Sequence, residues 1–112
     1  MNNLTIIGRL GAEPAVRTTK EATVARISLG VNHKRDKVEE TEWLEVILWN
    51  RLALTVQQYY HTGDKIYVRG HLVSTSYEDK DGTTHYITQI VADEIEKLST
   101  AKRNIQEQDK QD

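Results

Sequence analysis

The stretch Thr41-Glu-Trp-Leu-Glu-Val-Ile-Leu-Trp49 decides the fold, and it contains both tryptophans of the chain. Side chains alternate between faces along a strand, so Trp43 and Trp49 stand on one face with Glu45 and Ile47 between them. Leu44, Val46 and Leu48 point the other way and form a sufficient apolar core face. A sheet built on this strand buries its aliphatics and leaves two flat rings, with Ile47 between, on a second surface. Such a surface suits stacking on a planar partner, and nucleic-acid bases are the commonest one. On pattern alone the two tryptophans read equally well as large residues of a barrel core.

Strand signals continue on both sides. Leu4–Leu10 is a strand that Gly11 and Pro14 interrupt, and Ala15–Thr18 extends it after the kink. Thr23–Val31 alternates, with Val24, Arg26, Ser28 and Gly30 on one face and Ala25, Ile27, Leu29 and Val31 on the other. His33–Glu40 reads as a polar loop. After the tryptophan strand, Asn50 is a good N-cap for a helix from Arg51 to about Thr62, with Gly63 as its stop. Leu52, Val56, Tyr59 and Tyr60 fall on one face of that helix. Lys65–Ser76 is a long strand in which Gly70 marks a bulge or tight bend. Asp79-Lys-Asp-Gly82 is a hairpin turn, and Thr84 to about Leu98 forms the last strand.

The order is three strands, one helix, then two strands. That is the connectivity of the OB-fold, an all-β, five-stranded Greek-key barrel with one α-helix between strands 3 and 4. Its 112 residues allow one domain, expected over residues 1–98. Residues 99–112 are polar, lack aromatic residues, and are expected to be a disordered tail.

Composition limits the function classes. With 38% apolar and 29% charged residues and no apolar run of bilayer length, the chain reads as a soluble globular protein. No signal peptide is visible, and cysteine is absent, which removes disulfides and thiolate metal sites and makes the cytoplasm the expected address. The net charge of −2 argues against an overall basic surface but leaves room for a local basic groove. His33, His61, His71 and His85 have no ligand spacing, so no metal is expected. No phosphate-binding glycine loop, nucleophile elbow or paired-carboxylate motif is present, so neither an enzyme nor a cofactor is expected.

Several of these segments together resemble one family. Ile6-Ile-Gly-Arg-Leu-Gly-Ala-Glu-Pro-Ala-Val-Arg17 is similar to the opening of bacterial single-stranded DNA-binding proteins, and Thr41–Trp49 is similar to their third strand. Tyr59–Gly63 with Ile66–Leu72 resembles their helix end and fourth strand, and Tyr77–Gly82 their hairpin. The resemblance runs in order from Asn3 to about Ala92. It implies an OB-fold that coats and protects single-stranded DNA during replication, recombination and repair, without strong sequence preference, in the bacterial cytoplasm at the nucleoid. It also implies a homotetramer, or failing that a dimer, in which Asn3–Leu10 pairs with its copy in a second subunit and so covers an open edge.

Carried over residue by residue, the resemblance makes Trp43, Trp49 and Tyr77 the stacking aromatics and Arg51 a phosphate contact, with Arg9 and Arg17 as supporting cations. Lys34 and Arg35, with Lys37, could track phosphates or form a solvated loop balanced by Asp36, Glu39 and Glu40. This chain departs from the family in several places. Glu45, Val73 and Thr75 stand where basic residues are usual, and His33–Glu40 is short and lacks an aromatic. Gln106–Asp112 is not an acidic tip ending in an aromatic, so recruitment of other proteins through such a tip is not expected. The alternative is an OB-fold accessory protein of replication or primosome assembly that acts mainly through protein contacts; an oligosaccharide-binding domain has only the fold in its favour.

Overall fold

The computed structural model describes residues 1–101. In chain order these form β1 (Leu4–Leu10), β2 (Ala15–Thr18), β3 (Thr23–Arg35), β4 (Val38–Trp49), α1 (Arg51–Tyr59), β5 (Lys65–Glu78) and β6 (Thr84–Ser99). The strands lie in the order β1-β5-β6-β4-β3-β2, and a further pairing of β1 with β3 joins the two ends. β1 and β2 both run antiparallel to β3, one on each side of the Gly11–Pro14 kink. Counted as one bent strand, they make the ring five-stranded. The β4–β6 pair is parallel, through Val46 with Ile90 and Ile47 with Val91, and the other pairs are antiparallel. This is the OB-fold with its helix between the third and fourth barrel strands.

Alternation fills the interior. Ile6 and Leu10 of β1, Ala25, Ile27 and Leu29 of β3, Val46 and Leu48 of β4, and Ile66 and Val68 of β5 are buried in one cluster. α1 adds Ala53 and Val56 to that cluster, and Tyr60 just beyond it adds a ring. Each fully buried aliphatic side chain of this kind contributes roughly 1.5–3 kcal/mol over its exposed state. Gly70 sits at a register shift between β5 and β6, as a bulge there requires. A Cβ at Gly70 would lie 2.2 Å from the Val91 carbonyl oxygen, so only glycine lets the two strands approach this closely.

Several local expectations are corrected. His33–Glu40 is not a loop: β3 and β4 continue as a ribbon to Arg35 and Val38. Asp36 and Lys37, with φ of 51° and 71°, close it in the left-handed conformation that a two-residue hairpin turn needs. Asn50 does not cap α1 with its side chain; its Oδ1 accepts the Thr23 N–H at 3.3 Å and ties the β4–α1 corner to β3. The helix stops at Tyr59, short of Thr62, and Gly63 is not its stop.

Tertiary bonds explain the early end of α1. Tyr60 turns to extended backbone and buries its ring, while Tyr59, expected on the packed face, is exposed. The Asp64 carboxylate accepts the His61 N–H at 2.9 Å, and Glu13 accepts both the N–H and the hydroxyl of Thr62 at 2.6 Å. The Gly63 N–H donates to the Leu10 carbonyl at 2.7 Å. These bonds replace the helical ones that residues 61–63 would otherwise make.

Asp64 is fully buried, beside Lys97 at 3.3 Å, and also accepts the Ala101 N–H at 2.9 Å. Burial alone would raise its pKa, but the Ala101 and His61 N–H groups and the Lys97 ammonium together hold it below the ordinary value. Lys97 also donates to the Tyr59 carbonyl and lies 5.2 Å from the centre of the Tyr60 ring. The expected tail begins at Ser99, the last residue of β6; residues 102–112 lie outside the described residues.

Candidate nucleic-acid interface

Trp43 owes its position to two glycines. A Cβ on Gly11 would come within 2.4 Å of the indole, and one on Gly30 within 3.0 Å. The six-membered ring of Trp43 therefore lies against bare backbone on one side, yet the residue remains 61% exposed. A supported ring open to solvent gives up little conformational freedom when a base stacks on it. Trp49 is likewise exposed, at 48%. Ile47 does not stand open between them: it is buried, with Arg26 of β3 and Val91 of β6 in register on its two sides.

Residues directly opposite across paired strands share a sheet face, so the register places the other groups. Trp49 pairs with Val24, which pairs with Arg17; Ile47 pairs with Arg26, which pairs with Ala15. Trp43 pairs with Gly30, which pairs with Arg9. A groove of about 390 Å³ opens on this face, lined by Ala15, Val16, Arg17, Val24 and Arg26. The Arg26 guanidinium reaches along the face to Glu45 at 3.4 Å. Glu45 thus stands between the rings in sequence, as expected, and has a cationic partner there.

Tyr77 lies at the far end of the same side of the sheet. His71 opposes Val91 and Tyr77 opposes His85, both on the face that carries Ile47. The Tyr77 and His85 rings stack with centroids 5.1 Å apart and planes inclined by 21°. Asp79 accepts from His85 Nε2 at 2.6 Å and from the Asp81 and Thr83 N–H groups. The His85 bond, followed by that from Thr83, holds the Asp79 carboxyl below its ordinary range. Asp79 thereby closes the turn and fixes the imidazole under the tyrosine.

The remaining candidate cations are dispersed. Strand alternation splits the Lys34-Arg35 pair: Lys34 shares the Trp43 face and opposes Glu39, whereas Arg35 points to the other face. Arg9 turns its guanidinium to the Gly63 carbonyl at 3.0 Å. Arg51, exposed, opens α1 two residues after Trp49 and is in no ion pair among the described residues. On the opposite face of the β3–β4 ribbon, donor atoms of His33, Glu40 and Glu42 gather within 4.8 Å, a spacing a divalent cation could bridge. Both carboxylates are exposed, and the bonds present are those of cross-strand imidazole–carboxylate contacts, with His33 Nε2 at 3.2 Å from Glu42.

A family model described as the single-strand binding protein family matches residues 1–98. The chain belongs to that family. It is 34% identical over 112 residues to a single-stranded DNA-binding protein of Bacteroides thetaiotaomicron, covering 93% of this chain and 70% of that one. It is 37% identical over 111 residues to single-stranded DNA-binding protein 2 of Streptococcus agalactiae serotype V, covering 95% and 84%. Single-stranded DNA-binding protein 1 of Xylella fastidiosa is 32% identical over 111 residues, with 93% and 82% covered.

Two members of this surface escaped sequence reasoning. His85 was not reachable by counting from the Asp79–Gly82 turn, which would set Tyr77 opposite Thr84; the loop runs one residue longer, to Thr83, and that shift sets Tyr77 opposite His85. Arg26 was visible as an outward residue of an alternating strand, but its pairing with Glu45 depends on how β3 slides along β4.

Proposed function

We propose that this chain binds single-stranded DNA without strong sequence preference, coating exposed strands during replication, recombination and repair, by stacking bases on Trp43, Trp49 and Tyr77 and drawing phosphates to Arg17 and Arg51. Arg9, Lys34 and Arg35 are secondary cations in this reading. The observation that carries it is the pair of exposed tryptophans on one barrel face, one of them supported by glycine backbone. A stacked base contributes roughly 1–3 kcal/mol, so two or three platforms suffice for useful affinity without reading base edges. The relatives' printed names agree with this ligand. The chain acts by binding, not by catalysis, in the cytoplasm.

The assembly in this reading is a homotetramer, or a dimer, in which β1 pairs with its copy. Supporting it, the Leu4–Gly8 part of β1 is paired on one side, to β5, while β3 engages Arg9 and Leu10. Titration with oligo-dT at low salt tests the function: tryptophan emission is expected to be quenched to a saturating end point. Unchanged emission at saturating DNA would refute stacking. Native mass measurement with and without a long oligo-dT counts the subunits and the strands bound.

A further inference from the structure

We propose that Arg17 and Arg26 form a phosphate subsite in the groove beside Trp49, and that Glu45 competes with the DNA phosphate for Arg26. The inference rests on the single-stranded DNA reading above and adds a residue and a control element to it. The groove of about 390 Å³ has an arginine in each of two neighbouring rows, Arg17 opposite Val24 and Arg26 opposite Ala15. Trp49 stands in the Arg17 row, two strand spacings away, which is about 10 Å. A base stacked on Trp49 therefore places its flanking phosphate over the groove, where guanidinium forks suit phosphate oxygens.

The two arginines are not equivalent. Arg17 is in no ion pair among the described residues, whereas Arg26 lies 3.4 Å from Glu45. Both side chains of that pair are more than half exposed, at 60% and 58%. An ion pair so open to water is weak and exchangeable. An arriving phosphate can take Arg26 from Glu45, but a bare carboxylate then remains on the binding face and opposes the DNA. Glu45 thus sets the affinity below what the two arginines alone would give.

The test is equilibrium binding of a labelled oligo-dT by anisotropy over a series of salt concentrations, using wild type, Glu45→Gln, Arg26→Gln, the double variant, and Arg17→Gln. Glu45→Gln is expected to bind about two- to fivefold more tightly at low salt. Its slope of log K against log salt should steepen by up to about 0.7, because no freed carboxylate then takes up a cation when phosphate reaches Arg26. The Arg26→Gln/Glu45→Gln double variant, which lacks both the cation and the carboxylate, should bind no more tightly than wild type, and Arg17→Gln should flatten the slope by about 0.7. A double variant that binds more tightly than wild type, or no gain from Glu45→Gln alone, overturns the proposal while wild-type binding stands. Absence of wild-type binding would overturn the functional reading and this inference together. All three positions are exposed, so thermal unfolding should be unchanged and separates binding from folding effects.

Discussion

At the scale of single residues, Trp43 occupies space that Gly11 and Gly30 leave open. Gly11→Ala would place a Cβ 2.4 Å from the indole, and the exposed ring must move to admit it. The expected result is a shifted tryptophan emission and weaker oligo-dT binding, with little change in Tm because the barrel core is untouched. Trp43→Ala and Trp49→Ala should each reduce oligo-dT affinity by about 1–3 kcal/mol, roughly five- to 150-fold. Affinity for an abasic oligomer should stay the same, since only stacking is lost. Equal losses on both oligomers would point to a disturbed surface and not to missing platforms.

At the scale of elements, the two long hairpins behave differently. The β5–β6 tip carries Tyr77 on His85, with the imidazole held by Asp79. His85→Ala should loosen the tyrosine and weaken oligo-dT binding by about 0.5–1.5 kcal/mol, the range of an aromatic pair, and His85→Phe should recover part of it. Anisotropy titration of the two variants decides this. The β3–β4 tip is closed by Asp36 and Lys37, both at positive φ. An L residue in that region is strained by roughly 1–2 kcal/mol, so Lys37→Gly should raise stability by about 1 kcal/mol, measurable by denaturant titration. The same turn explains why a stretch without apolar pattern forms a ribbon: backbone pairing continues from β3 and β4, and cross-strand pairs such as Lys34 opposite Glu39 favour it.

At the scale of the whole molecule, charge and its titration set the working conditions. Glu13 joins the β1–β2 kink to the segment after α1, and the Thr62 hydroxyl, then His61 and the Thr62 N–H, lower its pKa from 4.5 to about 2. A depressed carboxylate stabilises the fold above its unfolded pKa and loses that contribution as pH falls through the folded one. Acid titration should therefore show stability lost between about pH 4.5 and 2, with Glu13→Gln removing part of this pH dependence. Asp79 acts in the same direction. Removing Lys97 from buried Asp64 should cost about 1.5–3 kcal/mol, read as a lower denaturant midpoint for Lys97→Met. With a net charge of −2 and few cations free on the tryptophan face, the salt slope of DNA binding should be shallow, about −2 for three phosphate contacts on a single strand.

The sequence by itself determined the strand-rich order, the inward Val46 and Leu48, the outward Trp43 and Trp49, and a bulge or bend at Gly70. Each of these follows from a period of two or from the chemistry of one residue, and such signals are local. Tertiary structure alone decided what depends on register and on contacts distant along the chain. It brought Glu13 to Thr62, 49 residues away, and so ended α1 early. It slid β3 along β4 so that Gly30 lies beneath Trp43 and Arg26 meets Glu45, and it covered Ile47 by pairing β4 on both sides. Alternation says which face a side chain takes; only the closed barrel says which neighbours it finds there.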